Sequence, residues 1–468
     1  MKNYKIYNWL ILSVFFVACD SQLDLAPEDT LVEDKVFASE KTADAAVADA
    51  YHSFYEASTF FGVTYAFGDL TTDNVALANN AGYWTYVDAE LTPADYVVGE
   101  VWRLHYKAIN VANNLIKKIP EIGTYDETLE RQHVAEGRFL RAFAYLNLLR
   151  IYGDGALTGD ASGLGVVLQL EPFEGIVEEP KPRQNNGAIF NQVIEDLQLA
   201  IADLPAAHSN NERTRSRATK ASAQALLSRV YLYQGDFGAA ASAAQAVLAD
   251  PNYFLTSDLQ QLFPPNPDAS PQEMTKEWLF GFPVSTNNGN FQYGTNYLDL
   301  IYYFKNNAWA DAAFIDLYDT ADLRRQELIF AGFAGNPNLT TFKFNNPEGL
   351  DNVPMLRLAE VILTRAESLA RTNGLVPEAV DLLNEIRQRA GVTSFDLADF
   401  SNADDLVNAI LHERRLELAF EGLHRFDLLR TGRPLKNPDV PADRFAWPIP
   451  QYEIELSGGV VVQNPGYE

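Results

Sequence analysis

The chain has 468 residues, of which 47% are hydrophobic, enough for a globular protein with a sizeable core, and 12% are aromatic. Its 36 basic and 63 acidic residues give a formal net charge of −27. That field repels nucleic-acid phosphates and anionic lipid headgroups, and it leaves neutral ligands such as sugars unaffected. A single cysteine, Cys19, excludes an internal disulfide framework and a cysteine-based zinc site, so the position of that residue carries the information.

Lys2 and Lys5 open the chain, an apolar run follows over residues 9–17, and the small Ala18 precedes Cys19. The apolar run is far short of the roughly 20 residues that span a bilayer. The order is that of a secretory signal. With a cysteine at the cleavage point it resembles a bacterial lipoprotein signal, in which that cysteine becomes the lipidated first residue. Phe16 departs from the leucine usual three places before it. Removal of residues 1–18 takes two lysines and no acid, leaving 34 bases against 63 acids, a net of −29. The acidic stretch 20–34, interrupted by Pro27, reads as a tether.

Helical periodicity then recurs along the chain. Over 101–119 it places Val101, Leu104, Ala108, Val111, Ala112 and Leu115 on one face. Over 129–151 it aligns Phe139, Ala142, Phe143, Leu146 and Leu149, and over 186–204 Ile189, Val193, Leu197 and Ile201, ending at Pro205. Alanine-rich helices are expected at 218–234 and 237–248, separated by Gly235-Asp236, where a glycine ends a helix cheaply in the left-handed region. Further helices are expected at 356–371, 377–390 and 403–421, with Thr372-Asn373-Gly374 turning the chain and Pro377 suited to a helix start. The paired helices look like tetratricopeptide-type hairpins with degenerate repeats. Segments 60–98, 152–185 and 251–350 carry Gly, Asn, Pro, Thr and aromatics instead. They read as long irregular excursions from a mainly α scaffold.

Four blocks, in order, resemble the SusD/RagB family: EGRFLRAFAYLNLLRIYGD at 136–154, RATKASAQALLSRVYLYQGDFGAAASAAQAVL at 217–248, RLAEVILTRAESLARTNG with AVDLLNEIRQRAGV across 357–392, and HERRLELAFEGLHRFDLLRTGR at 412–433. WPIP at 447–450 and QNPGY at 463–467 complete the pattern. The resemblance implies a tetratricopeptide-like helical scaffold, a lipid anchor on Cys19 in the outer membrane facing outward, and a TonB-dependent, SusC-like transporter as partner, to which captured oligosaccharide, or in some members peptide, is passed. The expected organisation is a signal at 1–18, a lipidated tether at 19–40 and one domain at 41–468, with an N-terminal part to about 250 and a C-terminal part from about 275.

The motif His412-Glu413-Arg414-Arg415-Leu416-Glu417 is read as an ion-paired helix face, extended by Arg425 and Asp427, and not as a catalytic centre. Leu416 occupies the place where a zinc protease motif needs its second histidine. The six histidines are scattered, so neither a metal site nor a cofactor follows; no nucleophile elbow, phosphate loop or dinucleotide fingerprint is present. Glycoside hydrolysis needs two carboxylates placed across one bond, and abundance of acids is no evidence of that.

The aromatic loops carry the functional signal, because sugar rings pack their C–H faces on aromatic rings while their hydroxyls need amides and carboxylates beside them. Residues 65–86 and 287–309 supply this mixture. The candidate ligand platform is Trp84 and Trp309, flanked by Tyr83 and Tyr297, with Asp73 and Asn74 for hydroxyls. The expected function is glycan capture without catalysis. A peptide ligand, a surface glycosidase and a purely structural adaptor are the rival readings.

Overall fold

The structure is a computed structural model that describes residues 37, 39–59, 63–79, 81–82, 84–173, 179–264, 273–283, 308–331, 339–341, 343–344 and 351–467. It is mainly α-helical, with strands of three to five residues paired two by two.

The N-terminal part opens with α1 (Glu40–Thr59), the short α2 (Val63–Leu70), β1 (Val75–Leu77) and the single turn α3 (Trp84–Val87). Two long helices follow, α4 (Tyr96–Lys118) and α5 (Glu127–Tyr152). Asp126 starts α5 by accepting the Thr128 and Leu129 amides, donors the first turn would otherwise leave unpaired. From Ala135 to Tyr152 nearly every side chain of α5 is buried, so this helix is the centre of the N-terminal layer. It packs between α4 and, beyond the antiparallel pair β2 (Leu164–Val167) and β3 (Arg183–Asn185), α6 (Asn186–Asp203). Buried Arg141 of α5 clasps Asp196 of α6 in a two-pronged ion pair at 2.8 and 2.7 Å.

After α7 (Asn211–Ser216), the expected hairpin forms between α8 (Lys220–Gln234) and α9 (Phe237–Leu248). Gly235 has φ +77°, and the Asp236 carboxylate accepts the Ala239 amide, so the Gly-Asp dipeptide ends one helix and starts the next. The chain continues through α10 (Leu259–Leu262), β4 (Trp278–Phe282), β5 (Ala308–Ala310), α11 (Ala312–Ile315), α12 (Leu323–Leu328), the pair β6 (Ile329–Ala331) and β7 (Leu339–Thr341), and β8 (Val353–Arg357), which pairs with β4. Then α13 (Leu358–Asn373) packs on α9, α14 (Pro377–Arg389) and α15 (Ala403–Glu417). The chain ends with α16 (His424–Arg430) and α17 (Gln451–Leu456). Buried apolar residues from Ala43 to Val461 join in one main cluster, with a smaller one around Leu259, Met274 and Trp278.

Several sequence expectations change. The helix expected over 356–371 begins at Leu358, because the preceding residues are claimed by the β4–β8 pair. The helix expected over 403–421 stops at Glu417, and Phe420 (φ +65°) and Gly422 (φ +71°) turn the chain before α16. The stretch 60–98 is not wholly irregular: it holds α2, β1, α3 and the start of α4.

The ion-paired face expected in the fourth block is turned into the interior. Glu413, Glu417 and Glu421 point inward and meet charges from distant parts of the chain. Arg357 bonds Glu277 at 2.9 Å, Glu417 at 2.6 Å and Glu421 at 2.7 Å. Arg389 pairs with Glu277 and Glu417, Arg324 with Asp322, Glu413 and Glu417, Arg387 with Glu413, and Lys343 with Glu421. Burial would raise the Glu417 carboxyl, but Arg389, Arg357 and Arg324 outweigh it and hold it well below the usual carboxylate range. A second buried set joins Arg229 and Arg414 to Glu360, Arg414 and Arg430 to Asp427, and Arg430 to Glu367. Asp427 therefore extends the ionic system as expected. Arg425 does not: it donates to the Phe445 carbonyl at 2.7 Å and lies 4.3 Å from the centre of the Phe67 ring, and burial lowers it to about 9.

Candidate functional site

The early and middle excursions meet through one short strand pair. β1 and β5 run antiparallel, with Val75 opposite Ala310, Ala76 opposite Trp309 and Leu77 opposite Ala308. The Asp311 amide continues the pairing by donating to the Asn74 carbonyl at 3.0 Å. Side chains alternate along a strand. Ala308 and Ala310 are buried, which puts Trp309 on the opposite, half-exposed face beside Ala76. An alanine as direct cross-strand neighbour leaves the indole face largely uncovered on that side.

Trp84 is tied to the same strand. It opens α3, is half-buried, and its Nε1 donates to the carbonyl of Ala78, the residue just past β1, at 2.9 Å. The described tryptophans thus divide cleanly. Trp102, Trp278 and Trp447 are at most 3% exposed, whereas Trp84 and Trp309 keep part of their surface open. Among the described residues neither of these two indoles stacks on another ring, while Trp447 contacts Phe67, Tyr86 and Tyr152.

Asp73 is exposed, two residues before β1. Its neighbour Asn74 is fully buried: its Nδ2 donates to Asp69 at 3.2 Å and its Oδ1 accepts from Arg415 at 2.8 Å. With both ends engaged, Asn74 holds the early loop to α15 in this conformation and offers no surface to a ligand. Tyr83 and Tyr297 lie outside the described residues, as does most of the middle aromatic stretch.

Asp69 explains why this region has the shape it has. Its carboxylate accepts the amides of Gly422 at 2.6 Å and Phe420 at 3.3 Å, as well as Asn74. These amides are presented by the left-handed turn that ends the fourth block. Gly68 comes so close to that turn that a Cβ would sit 2.1 Å from the Gly422 carbonyl oxygen. Burial pushes the Asp69 carboxyl up to about 6, against the pull of its hydrogen bonds. The stretch Gly68–Asn74 is therefore a docking element, and Asp73 is the residue in it left facing solvent. The fourth block's role in forming the platform was missed by sequence reasoning, because only the fold brings positions 69 and 422 together.

Among the described residues no group of three or more His, Cys, Asp or Glu side chains is placed to hold a metal ion, and no helix is long and apolar enough to cross a membrane.

Comparison with known proteins agrees with this architecture. Residues 343–467 match the SusD family model, and residues 22–232 match a family described as starch-binding associating with outer membrane. SusD-like protein P2 of Formosa agariphila is 27% identical over the whole of both chains, and a SusD-like protein of Bacteroides ovatus is 24% identical over 92% of this chain and 83% of its own. A SusD superfamily protein from Bacteroides thetaiotaomicron superposes with a TM-score of 0.76 at 25% identity, covering 90% of this chain and 99% of its own. A SusD-like carbohydrate binding protein from Bacteroides vulgatus shares the fold, with a TM-score of 0.71 at 21% identity over 84% of this chain and 83% of its own. The chain belongs to the SusD/RagB family.

Proposed function

We propose that this protein is an outer-membrane lipoprotein that captures glycans at the cell surface and hands them to a SusC-like, TonB-dependent transporter. The observation that carries the reading is the β1–β5 pair, which hangs Trp84 and Trp309 on one short strand with both indoles partly exposed. An exposed indole beside an alanine offers an apolar plane for a sugar ring, and Asp73 offers a carboxylate for its hydroxyls. Tyr83 and Tyr297 are proposed to flank the platform. The description of the family matched over 22–232, starch-binding associating with outer membrane, supports both the ligand class and the location. Cys19 is the proposed lipid attachment site, and the acidic stretch after it the tether.

A binding role suits the disposition of the acids. Glu277, Glu360, Glu367, Glu413, Glu417, Glu421 and Asp427 are buried against arginines or a lysine, where they fix the fold and meet no substrate. Delivery to a transporter requires release, so affinity is expected at micromolar or weaker, about −8 kcal/mol or smaller in magnitude.

The test is affinity electrophoresis of the mature chain through gels containing amylopectin, β-glucan, inulin, galactomannan or xylan. Retardation in one of them, reduced about tenfold in affinity by Trp309→Ala or Trp84→Ala with the melting temperature kept, is the expected result. Retardation unaffected by both substitutions removes the platform. No retardation in any gel moves the ligand assignment to peptides.

A further inference from the structure

A second concavity lies between α4 and α17, closed at one end by the residues after β2 and before β3. It shares no residue with the Trp84–Trp309 platform. Its volume is about 460 Å³, within the range of about 300–1,000 Å³ that small-molecule sites occupy. Its wall is aromatic. Trp102 and Tyr106 of α4 line it with Tyr452 of α17 and Phe173, a residue 47% exposed. The rings are held by hydrogen bonds rather than left to swing: the Tyr106 hydroxyl donates to the Val167 carbonyl at 2.7 Å and the Tyr452 hydroxyl to the Gly99 carbonyl at 3.1 Å.

The polar groups set among these rings are unusual for a surface that merely packs. Glu453 is half-buried in the groove wall, and among the described residues no lysine or arginine pairs with it. Burial pushes its carboxyl above the usual range, and only a hydrogen bond from Trp102 pulls the other way. A desolvated carboxylate without a cation wants hydrogen-bond donors from whatever fills the space. Asn110 uses its Oδ1 to accept the Phe173 amide at 2.8 Å, which leaves its Nδ2 without a partner among the described residues.

The charges around the groove select the occupant. Arg103, Lys107 and Lys181 line it and disfavour a cationic peptide, and Glu179 and Glu453 disfavour an anion. Arg103 is tied to Glu100 and Lys107 to Glu56, so neither is a free anion hook. What fits is a neutral molecule with apolar faces and many hydroxyls. We propose that this groove is a second carbohydrate subsite, which packs sugar rings on Phe173 and Tyr452 and receives hydroxyls at Glu453 and Asn110.

A line of packed rings joins the two places rigidly. Phe67 and Tyr86, beside the platform, contact Trp447, which contacts Tyr152, then Trp102, then Tyr106, with centroids 4.9 to 6.5 Å apart along the way. The inference shares the carbohydrate reading of the platform but none of its residues.

The test uses the mature chain with Cys19→Ser, the same five polysaccharide gels, and the single substitutions Phe173→Ala and Glu453→Gln. Phe173 is exposed and Glu453→Gln is isosteric, so unchanged melting temperatures are expected and serve as the folding control. The expected result is that the glycan which retards the unsubstituted chain binds each groove variant about tenfold more weakly, equivalent to ~1.4 kcal/mol. If that glycan retards both groove variants as strongly as the unsubstituted chain, the subsite is refuted and the platform reading stands. If no glycan retards even the unsubstituted chain, both carbohydrate readings fall together.

Discussion

Replacement of Arg357 by methionine tests the ionic core that the fourth block builds. Arg357 is 2% exposed and makes bonds to Glu277, Glu417 and Glu421, and to the Glu417 carbonyl at 2.7 Å. The network it belongs to holds Arg324, Lys343, Arg357, Arg387 and Arg389 against Glu277, Asp322, Glu413, Glu417 and Glu421, so it is balanced in charge. Methionine keeps much of the volume but leaves one uncompensated buried negative charge. Breaking a buried pair from one side costs about 3–5 kcal/mol, a large part of the 5–15 kcal/mol that typically separates a native domain from its unfolded chain. The assay is equilibrium unfolding in urea, which, unlike guanidinium chloride, does not screen ion pairs. Adding Glu421→Gln to Arg357→Met restores the balance at four cations against four carboxylates, with Lys343 keeping its bond to the Glu417 carbonyl. The double variant is expected to be more stable than Arg357→Met alone. A single variant within about 1 kcal/mol of the unsubstituted protein, or a double variant that loses both effects additively, refutes the claim that these charges act as one buried unit.

Gly68→Ala is expected to lower the melting temperature measurably, since its Cβ would fall 2.1 Å from the Gly422 carbonyl oxygen, a backbone atom; the overpacking cost is about 1–3 kcal/mol. Unchanged thermal unfolding would show that α2 does not dock on the 420–422 turn. The Asp69 carboxyl gives an inverted pH dependence. Its folded value, about 6 against an ordinary 3.8, means that the folded state binds the proton more tightly. Its contribution is therefore full at low pH and declines as pH rises towards 6, by ~3 kcal/mol in all. Comparison with Asp69→Asn across pH 3.5 to 7.5 isolates it, and a difference that grows in favour of the unsubstituted chain as pH rises would contradict the assignment. Glu417 runs the other way, its stabilisation present above the ordinary carboxylate value and lost as pH falls below about 4.5. Cys19→Ser is expected to release the protein from the membrane fraction of expressing cells, and retention there would remove the lipid anchor at that position.

The scaffold was legible in the sequence where the information is local. The helices at 186–204, 218–234 and 237–248 were placed to within two residues, because apolar spacing marks their inner face and Leu204-Pro205, Gly235 and Asp236 mark their ends. Helix ends set by distant partners were not legible. The β4–β8 pair trims the start of α13, and the grip of Asp69 on two amides 351 and 353 residues away stops α15 at Glu417. The charges of 412–433 were rightly read as structural. Spacing of three and four residues shows which charges share a face, but it carries no sign of whether that face meets water or the buried Arg357.

The candidate site divides along the same line. Composition alone singled out Trp84, Trp309, Asp73 and Asn74, because tryptophans set among amides and carboxylates are what a sugar needs. Whether a given ring is open or covered depends on what packs against it, and that is a tertiary fact. The β1–β5 register leaves Trp309 opposite an alanine, and the Ala78 carbonyl holds Trp84 beside it. The same packing turns Asn74 inward to Asp69 and Arg415, and it covers Trp102 and Trp447 with other rings. The sequence by itself determined the helical class and the hairpin turn at Gly235, since each rests on residues a few positions apart. Only the tertiary structure decided which aromatic side chains stay open, because burial is set by neighbours that arrive from hundreds of residues away.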